Sequence, residues 1–364
     1  MEGEMEKILV VITTGFDSVG GITSAAMNYI RNIEKNSISF DFCSFNEPNG
    51  ELLSEITEYG YNYYKLPDRR KKIIQYCQQL YILLKKNRYN IIHIHGNSST
   101  MVFELLVAKI AKVEKRIVHG HAKSTNYPLA NKILSPLFNS LYTDAIAVSN
   151  ESGKWLYKKR FTVINNAIDV NKYKFNIDKR NVIRNKLKID EDCIVVGNVS
   201  KLNEGKNLFF LIDIYAEYFK MNSNSRLLIV GGGMLYDKLK QYVLSKNLQD
   251  NIILTGMKMN VNDYLSAMDC FVFTSLYEGL GMVLIEAQAA GLPCICSNRV
   301  PVETKVTQNI EYVDIDEPVS KWALKINNIE KTDRKSEDIY NDIKKNGYDI
   351  NTETNKLYDI YLKY

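Results

Sequence analysis

The residues best placed to do chemistry lie in SLYEGLGMVLIEAQAAGLP, residues 275–293. Seven residues separate Glu278 from Glu286, and Gly279 and Gly281 stand between them. The preceding run, DCFVFTS, is short, apolar and rich in strand formers, so a buried strand is expected there, with a helix opening near Met282. A helix N-terminus offers unpaired N–H groups and a partial positive charge, which suits a phosphate. Glycine lets the backbone approach such a ligand closely. A carboxylate one turn inside the helix, Glu286, can accept two hydrogen bonds from a ribose diol. One before the helix, Glu278, can reach a sugar beyond a diphosphate. The competing reading is an ordinary strand, loop and helix with two surface glutamates.

A second candidate is VGNVSKLNEGKN, residues 196–207, again a strand running into a loop. Lys201 and Lys206 lie five positions apart and can both reach one anion. A leaving diphosphate needs cations as its charge develops, and positioned ammonium groups supply them without a metal. The alternative is a pair of solvated loop lysines. Gly20 and Gly21 follow the first apolar run; either they form a plain turn or they approach a ligand. A phosphate-binding P-loop is excluded, because Gly21-Ile22 stands where Lys-Ser/Thr is required. The GGG at 231–233 fails as a dinucleotide fingerprint, since Tyr236 takes the third glycine position. All four histidines come in i, i+2 pairs, His93/His95 and His119/His121, so each pair shares a strand face if its strand continues. They read either as core or loop histidines with backbone partners or, less readily because no carboxylate or cysteine pattern accompanies them, as a zinc site, and no metal is assigned. Thr255-Gly256-Met257 ends another strand candidate.

These loops need a scaffold, and the chain supplies one twice. Strand candidates at 7–14, 40–45, 90–95, 115–120, 144–149 and 161–168 alternate with helical spacing, and the alternation restarts at 193–200, 226–233, 251–256, 269–275 and 293–298. Such alternation implies doubly wound parallel sheets. The expected architecture is α/β, with two Rossmann-like doubly wound domains facing across a cleft: residues 1–175, residues 176–345, and a C-terminal helix at 346–364 packing back toward the first. The polar stretch 170–190 reads as a linker. Ligands bind at the carboxyl ends of such strands, which is where the candidate loops fall.

Composition narrows the class. The six cysteines, at 43, 77, 193, 270, 294 and 296, show no metal or disulfide spacing and read as buried free thiols of a reducing compartment. The acidic opening MEGEMEKILVVITT does not read as a secretion signal, and no apolar run approaches a membrane span, so a cytoplasmic location is expected. Net charge is +5, but residues 1–180 hold 25 basic and 17 acidic side chains against 22 and 25 in the remainder. The basic excess reads either as solvated helix faces or as peripheral contact with an anionic membrane. Few aromatics interleave with the basic clusters, which argues against nucleic acid.

The segment Ser275-x-x-Glu278-Gly279-x-Gly281, followed by Glu286-Ala287 and Gly291-x-Pro293, resembles the Glu-x7-Glu signature of glycosyltransferase family 4, whose members retain anomeric configuration and adopt the GT-B fold. The resemblance is to the branch that builds bacterial capsular and exopolysaccharides. It implies that Glu286 binds the donor ribose, that Glu278 contacts the donor hexose, and that amides around Gly279, Gly281, Met282 and Val283 hold the diphosphate. Lys206 matches the family's cationic loop, while Ser200-Lys201-Leu202 replaces the usual Gly-Arg-Leu, a point charge for a bidentate fork. By the same resemblance, Gly20 and Gly21 approach the diphosphate. His119, or His121 as the alternate, contacts the donor sugar near its leaving bond, and His95 lines the acceptor side. The loop at Met257 faces the base. The implied activity moves a hexose or N-acetylhexosamine from a nucleotide-diphosphate sugar, UDP-linked by family habit, to a saccharide or lipid-linked saccharide acceptor, with no cofactor or obligatory metal. The rival readings are a nucleotide-sugar epimerase of the same architecture and a non-catalytic sugar-nucleotide-binding partner subunit.

Overall fold

The computed structural model describes residues 5–17, 21–34, 37–330 and 333–362. The chain divides into two compact units, residues 1–167 with 350–364, and residues 168–349.

Unit 1 carries strands β1 (Glu6–Ile12), β2 (Ile38–Ser44), β3 (Asn62–Lys65), β4 (Ile91–Gly96), β5 (Lys115–Gly120), β6 (Asp144–Ala147) and β7 (Thr162–Val163). They form one parallel sheet in the order β3-β2-β1-β4-β5-β6-β7. Every residue of β4, IIHIHG, is buried, as expected of a central strand covered on both faces. One cover is α1 (Gly21–Asn32), α2 (Gly50–Glu58) and the C-terminal helix Ile350–Leu362, packed through Tyr29, Ile56, Leu357 and Tyr361. The other is α3 (Ile73–Asn87), α4 (Val102–Ile110), α5 (Pro128–Leu141) and α6 (Asn150–Leu156), packed through Leu80, Leu105, Phe138 and Leu156. Glu104 of α4 is fully buried in that layer, where it accepts from Arg69 at 2.7 Å and from the Tyr76 hydroxyl at 2.8 Å. The FTVINNAI stretch is a strand only at Thr162–Val163. The edge strand β3, NYYK, carries too little apolar pattern to stand out in sequence.

Unit 2 opens with α7 (Val170–Tyr173) and α8 (Ile177–Leu187). The stretch 170–190 is therefore structure, not the expected linker. Its cations make it look solvated, but Arg184 is buried: it donates to the Ala267 and Cys193 carbonyls and pairs with Asp269 at 2.6 Å, and Arg180 pairs with the same carboxylate. There follow β8 (Ile194–Val199), α9 (Leu208–Met221), β9 (Ser225–Val230), α10 (Tyr236–Ser245), β10 (Ile252–Leu254), α11 (Val261–Ala267), β11 (Cys270–Phe273), α12 (Met282–Ala289), β12 (Cys294–Ser297), β13 (Ile310–Val313), α13 (Val319–Asn327) and α14 (Glu337–Lys345). The sheet is parallel, in the order β10-β9-β8-β11-β12-β13. Helices α9, α10 and α13 cover one face, with Trp322 fully buried; α8, α11 and α12 cover the other. All six cysteines are free, and all but Cys77 are buried.

Candidate functional site

Strand order reverses between β1 and β4 in unit 1 and between β8 and β11 in unit 2. In open parallel sheets, ligands bind beyond the strand carboxyl ends at such a reversal. In unit 2 the loops at that place are 200–207, after β8, and 274–281, after β11. These are the two stretches whose residue types already suggested anion chemistry.

The two loops are fastened together. The Leu276 N–H donates to the Gly205 carbonyl at 2.8 Å, and the Thr274 hydroxyl donates to the Lys206 carbonyl at 3.0 Å. Gly205 lies flat against Tyr277; a Cβ there would come within 2.8 Å of the ring. This brings Lys206 Nζ into an ion pair with Glu278 Oε1, the same oxygen that accepts from the Ser275 hydroxyl at 2.7 Å. The ammonium also stands 5.2 Å from the centroid of the Phe273 ring, a cation–π distance.

Gly281 is the N-cap of α12. Its φ of 84° lies in the left-handed region, which a residue with a Cβ adopts only with strain. No side chain caps α12, so its leading N–H groups, at Met282 and Val283, face the loop end. Glu278 Cγ and the Phe273 ring both lie 3.7 Å from where a Gly281 Cβ would sit. An ammonium, a carboxylate and the positive end of a helix thus meet around one glycine. Gly279 beside them has open space on its Cβ side.

Glu286 faces a different neighbour. It is half-buried one turn into α12, with Tyr173 of α7 as a neighbour. Burial pushes its carboxyl up to about 7, and the nearby Tyr173 hydroxyl and the Lys172 charge hold it from rising further. The Tyr173 phenol is itself pushed far up, first by burial and then by the adjacent Glu286 charge. Tyr173 was not visible as a site residue in sequence, because it sits in the stretch that reads as a linker.

Lys201 is exposed and makes no ion pair among the described residues. Its loop rests on the glycine triplet after β9. A Cβ on Gly231 would lie 1.9 Å from the Ser200 carbonyl oxygen, and one on Gly233 would lie 2.5 Å from that of Leu202. The GGG that fails as a dinucleotide fingerprint therefore serves close packing beneath Lys201. Met257, 68% exposed, stands beside Gly232, following Gly256 in the left-handed conformation.

In unit 1, the reversal between β1 and β4 holds a hollow of about 530 Å³ lined by Thr14, Gly15, Gly21, Ile22, Asn46 and Asn97. Gly21 opens α1; Gly20 lies outside the described residues. The four histidines form one stack on β4 and β5, with His119 at a ring-centroid distance of 4.9 Å from His95 and 4.4 Å from His121. His95 Nδ1 and His121 Nε2 share a hydrogen bond of 2.9 Å, and His93 Nδ1 bonds the Tyr361 hydroxyl at 2.7 Å. Burial pushes His93 and His121 down to about 3 and the other two well below the usual imidazole range, so the stack is neutral at physiological pH. His119 is fully buried with neither ring nitrogen bonded to protein, while His121 is partly open to solvent. The donor atoms of His93, His95 and His119 all lie within 4.8 Å of one another.

Comparison with known proteins identifies the family. Residues 19–172 match the family model described as Glycosyltransferase Family 4, and residues 179–349 match Glycosyl transferases group 1. Among curated proteins, an Escherichia coli UDP-Gal:alpha-D-GlcNAc-diphosphoundecaprenol alpha-1,3-galactosyltransferase is 30% identical over 78% of each chain. The chain belongs to glycosyltransferase family 4. The Bacillus subtilis putative glycosyltransferase EpsF is 26% identical over 99% of this chain and 97% of its own. The crystal structure of Anabaena HepE in complex with UDP matches with a TM-score of 0.78, at 19% identity, covering 97% of this chain and 98% of that one. The two parallel α/β units are those of the GT-B fold. As a family 4 glycosyltransferase the chain has its motif residues at the unit 2 strand reversal, while the histidine stack belongs to unit 1.

Proposed function

We propose that the protein is a retaining glycosyltransferase that moves a hexose or N-acetylhexosamine from a UDP-sugar to a lipid-linked saccharide, in capsule or exopolysaccharide synthesis at the cytoplasmic face of the membrane. The observation that carries this reading is the convergence of Lys206, Glu278 and the uncapped start of α12 on Gly281. A diphosphate seated there meets the N–H groups of Met282 and Val283 and the ammonium of Lys206, with Lys201 on the neighbouring loop. Glu286 accepts from the ribose hydroxyls, and Glu278 reaches the sugar. The UDP-bound HepE structure and the UDP-galactose-dependent relative support the choice of donor, and that relative's lipid diphosphate acceptor supports the choice of acceptor.

In the reaction, the bond between the anomeric carbon and the β-phosphate oxygen breaks, and its electron pair leaves with the diphosphate. The acceptor hydroxyl oxygen bonds the anomeric carbon from the face just vacated, and its proton passes to the departing phosphate oxygen. Preorganised N–H groups and ammonium charge stabilise the developing dianion, so no divalent metal is required in this scheme. His119 in unit 1 is the group proposed to contact the sugar near its leaving bond, with His121 as the alternate and His95 toward the acceptor. The test is incubation of purified protein with a panel of UDP-sugars and a polyprenyl-diphosphate saccharide, with and without EDTA, read by mass spectrometry and by NMR of the new linkage. An anomeric configuration matching the donor, insensitive to EDTA, is expected. An inverted linkage would overturn the retaining assignment, and conversion of donor without acceptor would overturn transfer itself.

A further inference from the structure

The outer surface of the α3–α4–α5 layer of unit 1 combines two features that rarely coincide on a water-facing helix. Helix α5 shows Leu129, Ile133 and Leu137, spaced i, i+4, i+8, at 71%, 66% and 44% exposure. Helix α3 shows Ile74 and Ile82 at 71% and 60%, with Tyr81 beside them. Both helices pack on the core through their opposite faces, α3 with Leu80 and Leu84 and α5 with Phe138 and Leu141, so the exposed stripes are not needed by the fold. The second feature is charge. The three helices hold a single carboxylate, Glu104, and it is fully buried against Arg69. Lys71, Lys72, Lys85, Lys86 and Lys132 are exposed around the apolar stripes and form no ion pair among the described residues. At the margin stand Asp68, half-buried and held by Arg70, and Glu114, exposed at the edge of β5.

We infer that this layer is a membrane-docking face, on which the α3 and α5 stripes enter the headgroup boundary of an anionic bilayer while the lysines contact lipid phosphates. The inference extends the membrane-linked acceptor of the proposed function. Apolar side chains flanked by lysines on a helix lying in the interface plane are the pattern that binds there. No described helix is long and apolar enough to cross a membrane, so the contact is peripheral in kind. Self-association through the same face fits poorly. A two-fold interface pairs the patch with its own copy, and here that sets lysine against lysine with no exposed carboxylate on the helices to answer.

The experiment is sedimentation of the full chain with vesicles of phosphatidylcholine alone and with one-third phosphatidylglycerol. Binding to the anionic vesicles is expected, weakening with salt. Ile133→Asp should lower the partition coefficient about tenfold or more, and Lys85→Glu with Lys86→Glu should lower it about fivefold per lysine. Both sites are exposed, so unchanged melting temperatures are expected. Ile133→Trp should gain blue-shifted fluorescence quenched by brominated anionic lipid, while Leu324→Trp on α13 of unit 2 should not. Equal binding to both vesicle types, undiminished binding by the variants, or light scattering showing a dimer that Ile133→Asp dissociates, would overturn the inference. Donor affinity is measured on the same variants by calorimetry. Lost vesicle binding with intact donor binding isolates the docking face. Vesicle binding without transfer to any acceptor would instead fault the proposed reaction and leave the docking face standing.

Discussion

If Glu286 must be ionised to accept the ribose hydroxyls, donor affinity has to follow its titration. Burial places that carboxyl at about 7, so close to half of the free protein carries it protonated at neutral pH. A carboxylate accepts two hydrogen bonds where the acid form must donate one, so binding favours the ionised form. The ionised fraction falls from about nine-tenths at pH 8 to about one-tenth at pH 6, and apparent affinity is scaled by the competent fraction. Kd for a UDP-sugar should therefore rise about tenfold across that range, about 1.4 kcal/mol, and level off above pH 8. Titration calorimetry suits the measurement, because a sugar diphosphate diester does not itself titrate there. Repeating it at pH 6 in buffers of different ionisation enthalpy should reveal proton release on binding. Glu286→Gln should flatten the profile and weaken affinity at pH 8. Tyr173→Phe removes a nearby hydroxyl that favours the charged form, so its midpoint should move above that of the wild type and the affinities should converge at high pH. A flat wild-type profile, or a Glu286→Gln variant that keeps the slope, would refute the assignment.

Lys206→Ala removes the ammonium shared by Glu278 and the diphosphate. Turnover should drop by roughly ten- to over a hundredfold, from the ~1.5–3 kcal/mol carried by a hydrogen bond to a charged group, with a smaller change in donor affinity, separable by steady-state kinetics and calorimetry. Gly231→Ala forces a Cβ to 1.9 Å from the Ser200 carbonyl at a φ of 146°. Urea unfolding should show a loss of about 2–4 kcal/mol, as expected of backbone strain and overpacking together, and a neutral result would dismiss the packing role of the triplet. Glu104→Ala leaves the half-buried Arg69 in unit 1 without its carboxylate, and should cost up to about 3–5 kcal/mol in the same assay.

Much of the architecture was legible because buried parallel strands write themselves as short apolar runs. The stretches at 90–95, 193–200 and 269–275 needed no partner to be recognised, and the glycines and carboxylates of 275–293 showed that a helix would open on a phosphate-sized loop. What stayed hidden was set by partners far along the chain. The arginines of α8 look solvated until the Asp269 carboxylate and the 266–268 carbonyls arrive to bind them. Tyr173 gains its role only when α7 is laid against α12. The histidine pairs revealed their strand faces, but not that parallel register sets His95 beside His119 and closes all four into one neutral stack.

Residue order along the chain thus suffices for the alternation of strands and helices, the position of the helix start at Met282, and the family to which the chain belongs, because each of these is encoded within about twenty neighbouring residues. The Lys206–Glu278 pair, the raised pKa of Glu286 and the apolar, lysine-rimmed outer face of α3 and α5 exist only after folding. Each depends on burial or on a charge brought from tens of residues away, and neither quantity is defined until the sheets have closed.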